Sequence, residues 1–138
     1  MSKFESSIKQ IPYSQAAVYK CISNLENLEK IRSRVPAEQV KEFSFDNDNV
    51  CMTVDPVGEM QMRIVDREEP KCVKFEAVKA PLPFFLWIQV LPVTETTSKM
   101  KVTIETELNP FVRGLVSGPL QETLERIAEA LSMVPYDV

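Results

Sequence analysis

Met100-Lys101-Val102-Thr103-Ile104-Glu105-Thr106-Glu107-Leu108-Asn109-Pro110-Phe111-Val112-Arg113-Gly114-Leu115-Val116 changes period in its middle. The first half alternates apolar with polar residues, the signature of a half-buried strand. Asn109 is a good helix cap and Pro110 suits a first helical position; beyond them Val112, Leu115, Val116, Leu120, Leu124, Ile127, Leu131 and Val134 recur at helical spacing. The last strand of a sheet therefore feeds a long C-terminal helix. A sheet that is apolar on one side must be covered on that side, and this helix is the cover.

Upstream, from Val40 to Leu108, the period is two. Six runs of strand character are separated at Asp46-Asn47-Asp48-Asn49, Asp55-Pro56, Glu68-Glu69-Pro70, Ala80 to Pro83 and Thr94 to Ser98, which predicts a meander of hairpins. Phe43, Phe45, Val50, Met52, Val54, Met60, Met62, Ile64, Val73, Phe75, Ala77, Met100, Val102 and Ile104 fall on one face of it. Glu42, Thr53, Glu59, Gln61, Arg63, Lys74, Glu76, Lys101, Thr103 and Glu105 fall on the other.

Residues Lys3 to Ile11 read as one strand, with Phe4, Ser6 and Ile8 on one side, and Pro12 ends it. Ser14 offers a cap for a helix whose buried face carries Ala17, Val18, Cys21 and Ile22. Asn24 can cap a second short helix with Leu25, Leu28, Ile31 and Val35 on one stripe, closed by Pro36. Inside the C-terminal helix, Ser117-Gly118-Pro119 breaks the local rules, since glycine and proline cost about 1 and about 3 kcal/mol relative to alanine in a helix interior. A kink is expected there, and a gap beside Gly114 and Gly118 that a ligand, a curved sheet or plain backbone packing could fill.

The order strand, two short helices, six-stranded meander and long helix resembles the START-like, or helix-grip, superfamily, which includes polyketide cyclase-like and lipid-transfer domains. The likeness is carried by Ile8-Lys9-Gln10-Ile11-Pro12-Tyr13-Ser14-Gln15-Ala16-Ala17-Val18-Tyr19, by the Asp66-Arg67-Glu68-Glu69-Pro70 hairpin, and by the Asn109-Pro110 start of the final helix. It spans the whole chain, 1–138, as a single domain. The resemblance implies an α+β fold, a seven-stranded curved antiparallel sheet gripping the helix, with a cavity between them for lipids, polyketides, hormones or other apolar compounds. It implies no particular catalytic residue.

Composition agrees with one ordinary globular domain: 138 residues, 44% apolar and 26% charged. A net charge of −4 opposes polyanions, so nucleic acid is not an expected partner. The longest apolar stretch, Pro81 to Val93, holds three prolines and is too short to cross a bilayer. No secretory signal follows Met1-Ser2-Lys3-Phe4-Glu5, and Cys21, Cys51 and Cys72 are odd in number and widely spaced. A reduced, cytoplasmic protein with neither disulfides nor a zinc site is expected.

Histidine is absent, which removes the commonest general base near neutral pH and the commonest transition-metal ligand. Neither cofactor nor metal is expected. Met52, Met60, Met62 and Met100 project towards the helix by alternation, where flexible thioethers either line an adaptable pocket or fill a core; Phe75 and Ser117 join them. Phe84 and Phe85 follow a Pro-Leu-Pro turn and have three readings: the mouth of a container, an exposed patch for a protein or membrane surface, or a buried strand end.

The same strand leaves two registers open. If Trp87 and Gln89 point inward, Gln89 orients a ligand carbonyl or hydroxyl inside the cavity. If Leu86, Ile88 and Val90 point inward, Gln89 is wet; this second register is favoured, because a buried amide needs partners and a wet one does not.

Three functions follow. The first is a binding module holding an apolar molecule against Met52, Met60, Met62, Phe75, Trp87, Gln89, Met100 and Ser117. The second is a cofactor-independent cyclase or dehydrase using a carboxylate or Gln89, with Ser117 or Thr123 as the other polar groups. The third is an adaptor of the co-chaperone kind that docks through the outer sheet face or Phe84-Phe85. The first ranks highest, since no catalytic motif is present.

Overall fold

The computed structural model describes residues 2–24, 43–46, 49–54, 58–79, 83–133 and 136. The strands are β1 (Ser2–Glu5), β2 (Lys9–Ile11), β3 (Phe43–Asp46), β4 (Asn49–Val54), β5 (Gly58–Glu68), β6 (Cys72–Lys79), β7 (Phe84–Pro92) and β8 (Ser98–Thr106). The helices are α1 (Gln15–Ile22) and α2 (Pro110–Ser132). The expected second short helix, from Asn24 to Val35, lies outside the described residues.

The sheet is antiparallel in the order β1-β8-β7-β6-β5-β4-β3, and β2 also pairs with β8. Thus β1 and β2 are two halves of one edge ribbon, and the described sheet has seven ribbons gripping one long helix. Ser2, Thr106 and Phe84 lie side by side at one end, called here the upper end; Ile11, Ser98 and Pro92 lie side by side at the lower end.

Three places break the ladder, and each ejects a β-branched residue. Between β1 and β2 the pairing on β8 slips from Glu5↔Thr103 to Lys9↔Met100, leaving Ile8 58% exposed. In β5 the slip falls between Ile64 and Asp66, with Val65 40% exposed. In the β5–β6 pair, Gln61↔Lys79 is followed by Met62↔Ala77, with Val78 50% exposed. An extra residue turns outward and bends the strand at that point, while Met60, Met62 and Ile64, all ahead of the β5 bulge at Val65, keep an uninterrupted inward alternation. The expected placement of Ile8 beside Phe4 and Ser6 is corrected by the first of these breaks.

Ser6 makes that break stable. Its N–H donates to the Val102 carbonyl at 2.8 Å, and its hydroxyl accepts from the Val102 N–H at 2.9 Å, replacing the lost ladder bonds.

Both expected caps form. The Ser14 hydroxyl accepts from Ala17 N–H at 3.2 Å, and Asn109 Oδ1 accepts from Val112 N–H at 2.8 Å. Helix α2 then continues through Pro119 to Ser132. Its face Val116, Leu120, Leu124, Ile127 and Ala128 is buried against the sheet together with Ile11, Val18, Cys21, Ile22, Val73, Phe75, Leu86, Met100 and Val102. The lower end is sealed by Tyr136, 1% exposed, which meets the Tyr13 ring edge-on at 5.9 Å and donates to the Leu131 carbonyl at 2.7 Å.

Candidate ligand-binding site

The concave face is built as rows that run across the strands. One row joins Phe4, Ile104, Leu86, Phe75 and Ile64 in register over five strands. Another sets Met62 between Val50 and Ala77, and Met100 pairs with Val90. Met60, Met62, Phe75 and Met100 are all buried. Of the residues expected to line a pocket, these four share one buried core with α2 but are spread along it, Met60 and Met62 towards the upper end on β5 and Met100 towards the lower end on β8. Ser117 is half-buried on the helix. Met52 pairs with Met60 in register, and its side chain, like those of Phe43, Phe45 and Val54, lies outside what is described.

Trp87 and Gln89 are not on this face. Leu86, Ile88 and Val90 are the buried residues of β7, and Gln89 is exposed. Trp87 lies on the outer face, 6.1 Å from the Phe85 ring, with Lys74 Nζ 4.4 Å above Phe85 and 5.4 Å from Trp87. The cause is the register of β7 between β6 and β8: Leu86 joins Phe75 and Ile104, whereas Trp87 joins Lys74 and Thr103. Of the three readings of Phe84, the buried strand end is the one observed. It is 4% exposed, part of the core, and Thr106 Oγ1 donates to the adjoining Pro83 carbonyl at 2.5 Å. Phe84 and Phe85 point to opposite faces and form no joint surface patch.

Leu86, Val90, Ile104, Val116 and Leu120 complete the apolar wall. Helical spacing marked Val116 and Leu120 in advance, and the inward facing of Leu86 is that of the register favoured because it leaves the Gln89 amide wet.

Titration in the interior is governed by burial. Burial pushes the Tyr136 phenol well above its ordinary value, with Cys21 adding to it, and raises Tyr19 and Cys21. At the lower end of the outer face, burial and then the neighbouring Glu68 and Asp66 push the Cys72 thiol up to about 11. The buried polar side chains are Ser2, Ser6, Ser98, Thr103 and Thr106, and among the described residues no buried side-chain nitrogen or oxygen lacks a hydrogen bond. No group of three metal-ligating side chains occurs among the described residues.

Along α2 the two ends differ. The second half is packed, whereas Phe111 is 85% and Leu115 66% exposed, and a Cβ added at Gly114 or Gly118 would meet nothing within 4 Å. Both glycines are exposed, so this side of α2 faces solvent, and neither the sheet nor backbone packing fills the expected gap. At the upper end, where β8 passes into α2, an open depression of about 600 Å³ is lined by Ser2, Glu107, Leu108, Asn109 and Arg113. None of these five was anticipated as a site. The opposite charges at 107 and 113, on either side of a strand-to-helix junction, were the available signal.

A family described as polyketide cyclase/dehydrase and lipid transport matches residues 1–132. The chain belongs to this family. Membership makes it a hydrophobic-ligand-binding domain in the polyketide cyclase/dehydrase and lipid transport group. No curated protein matches it in sequence.

Solved structures share the fold at low identity. Norcoclaurine synthase from Thalictrum flavum, in complex with dopamine and hydroxybenzaldehyde, superposes with a TM-score of 0.69 at 14% identity, over 95% of this chain and 84% of that one. A protein from Thermus thermophilus gives 0.64 at 16%, over 95% and 94%. A START superfamily protein from Mycobacterium smegmatis gives 0.59 at 14%, over 94% of each. Among the described residues no helix is long and apolar enough to cross a membrane.

Proposed function

We propose that this family member is a binding module that holds one apolar small molecule, lipid-like or polyketide-like, between the concave sheet face and α2. The observation that carries it is the chemistry of that face. Met60, Met62, Phe75 and Met100 all belong to the one buried core that α2 covers, where unbranched, polarisable thioethers can repack around a guest, and among the described residues no buried side-chain nitrogen or oxygen is left without a hydrogen bond. Such a surface rewards a guest that asks for contact and no hydrogen bonds. Norcoclaurine synthase, which shares the fold and is in complex with dopamine and hydroxybenzaldehyde, supports the reading at the level of the fold.

The test is to purify the protein without denaturation, extract it with organic solvent and analyse the extract by mass spectrometry. A stoichiometric apolar compound is expected. An empty extract, from a folded protein that also takes up no medium-chain alcohol in titration, would overturn the proposal. Trp87→Ala belongs in this experiment as a neutral control, because Trp87 lies on the far side of the sheet.

A further inference from the structure

The depression at the upper end has features the interior lacks. Arg113 and Glu107 are both exposed and share its lining, and neither forms an ion pair among the described residues. Asn109 commits its Oδ1 to the Val112 N–H and so retains its amide nitrogen as a donor. The remaining lining is the polar, buried Ser2 and the apolar Leu108, which is half-buried and packs against the core. A charged donor, a neutral donor and a charged acceptor therefore stand beside a residue that leads into the apolar interior.

We propose that this depression is the head-group site for the molecule held beneath α2, and that the ligand is an amphiphile whose head carries an anionic oxygen group and a hydroxyl. This rests on the binding function proposed above and adds the polar end of the ligand to it. Arg113 receives the anion as a fork of N–H donors, with Asn109 as a further donor. Glu107 accepts from the hydroxyl and disfavours heads with two negative charges. The tail passes Leu108, which packs against the core, and runs inward past the buried Phe84, whose strand pairs with Thr106 at the same end of the sheet.

Titration calorimetry at neutral pH with decan-1-ol, decanoate and 3-hydroxydecanoate separates head from tail. Wild type is expected to bind 3-hydroxydecanoate most tightly, decanoate next and decan-1-ol least. Arg113→Gln should weaken both acids about tenfold and leave decan-1-ol unchanged, since the charge-assisted fork is lost at a solvent-facing site. Glu107→Gln should abolish the advantage of the hydroxyl. If wild type binds all three alike, or Arg113→Gln weakens decan-1-ol equally, the head-group site is wrong while the apolar interior stands. If none of the three binds, the proposed binding function falls and the head-group site with it. Both substituted residues are exposed, so the fold should survive either change.

Discussion

The Glu125 carboxylate grips Ser7 with both oxygens: Oε1 accepts from the Ser7 N–H at 2.6 Å and Oε2 from its hydroxyl at 2.8 Å. Ser7 belongs to the break between β1 and β2, so this pair fastens the middle of α2 to the sheet edge at the point where ladder bonding is interrupted. Gln121, one turn earlier, adds a bond from Nε2 to the Glu5 carbonyl at 2.6 Å.

Glu125→Ala should therefore cost about 1 kcal/mol in urea titrations at neutral pH, the size of a solvent-facing hydrogen-bonded contact. The two bonds from Ser7, with help from Lys9, hold the Glu125 carboxyl below its usual range. A folded-state value below the unfolded one means that the contribution is fully present above the unfolded value and is lost as pH falls through the folded one. The difference between wild type and Glu125→Ala should shrink towards zero in strong acid. A difference that stays constant between neutral pH and about pH 3 would refute the assignment.

Gly118→Ala should stabilise the protein. The added Cβ meets nothing within 4 Å, and alanine replaces the poorest helix former but proline at an exposed interior position. A gain of about 0.5–1 kcal/mol is expected, or about 3 °C in the melting midpoint. Gly114→Ala should behave in the same way; a loss at either position, by calorimetry, would mean that something occupies that space.

Leu86→Ala and Gln89→Ala test the register of β7. Leu86 is fully buried, so its truncation should cost about 2–5 kcal/mol, while Gln89→Ala should stay within about 0.5 kcal/mol. Reversal of the two effects in chemical denaturation would place Gln89 inside.

Cys72 should react slowly with iodoacetamide. With its thiol pushed up to about 11, the thiolate fraction at about pH 8 is on the order of one in a thousand, against about a quarter for an ordinary cysteine. Peptide mapping after timed alkylation should show Cys72 lagging a free cysteine standard by roughly a hundredfold, with the lag closing above about pH 10.

The period change between Ile104 and Val112 revealed the architecture, and the caps Ser14 and Asn109 revealed where both helices begin. Met60, Met62, Phe75 and Met100 were legible because each alternates with a polar or charged neighbour, which leaves one reading of their face. Trp87 was legible only in part: the cost of burying Gln89 favoured the register that is found, but Phe84 to Ile88 is apolar throughout, so alternation left both registers open and the pairing with β6 and β8 decides between them. Ile8, Val65 and Val78 escaped for a related reason: a β-branched residue suits a strand on either face, so nothing local announces a bulge. Tyr136 stands alone after the helix, and only the space beside Tyr13 gives it a place. Glu107 and Arg113 read as ordinary surface charges until the turn from β8 into α2 sets them around one depression.

The most direct test of binding beneath α2 is to label the methionine methyl groups with ¹³C and follow them by NMR as decan-1-ol is added. Binding between sheet and helix predicts saturable shifts for Met60, Met62 and Met100, with Met133, 44% exposed near the far end of α2, and the Trp87 indole N–H on the outer face both unmoved. Shifts at Met133 or Trp87 while the three buried methionines stay fixed would place the ligand on the surface and contradict the proposed function.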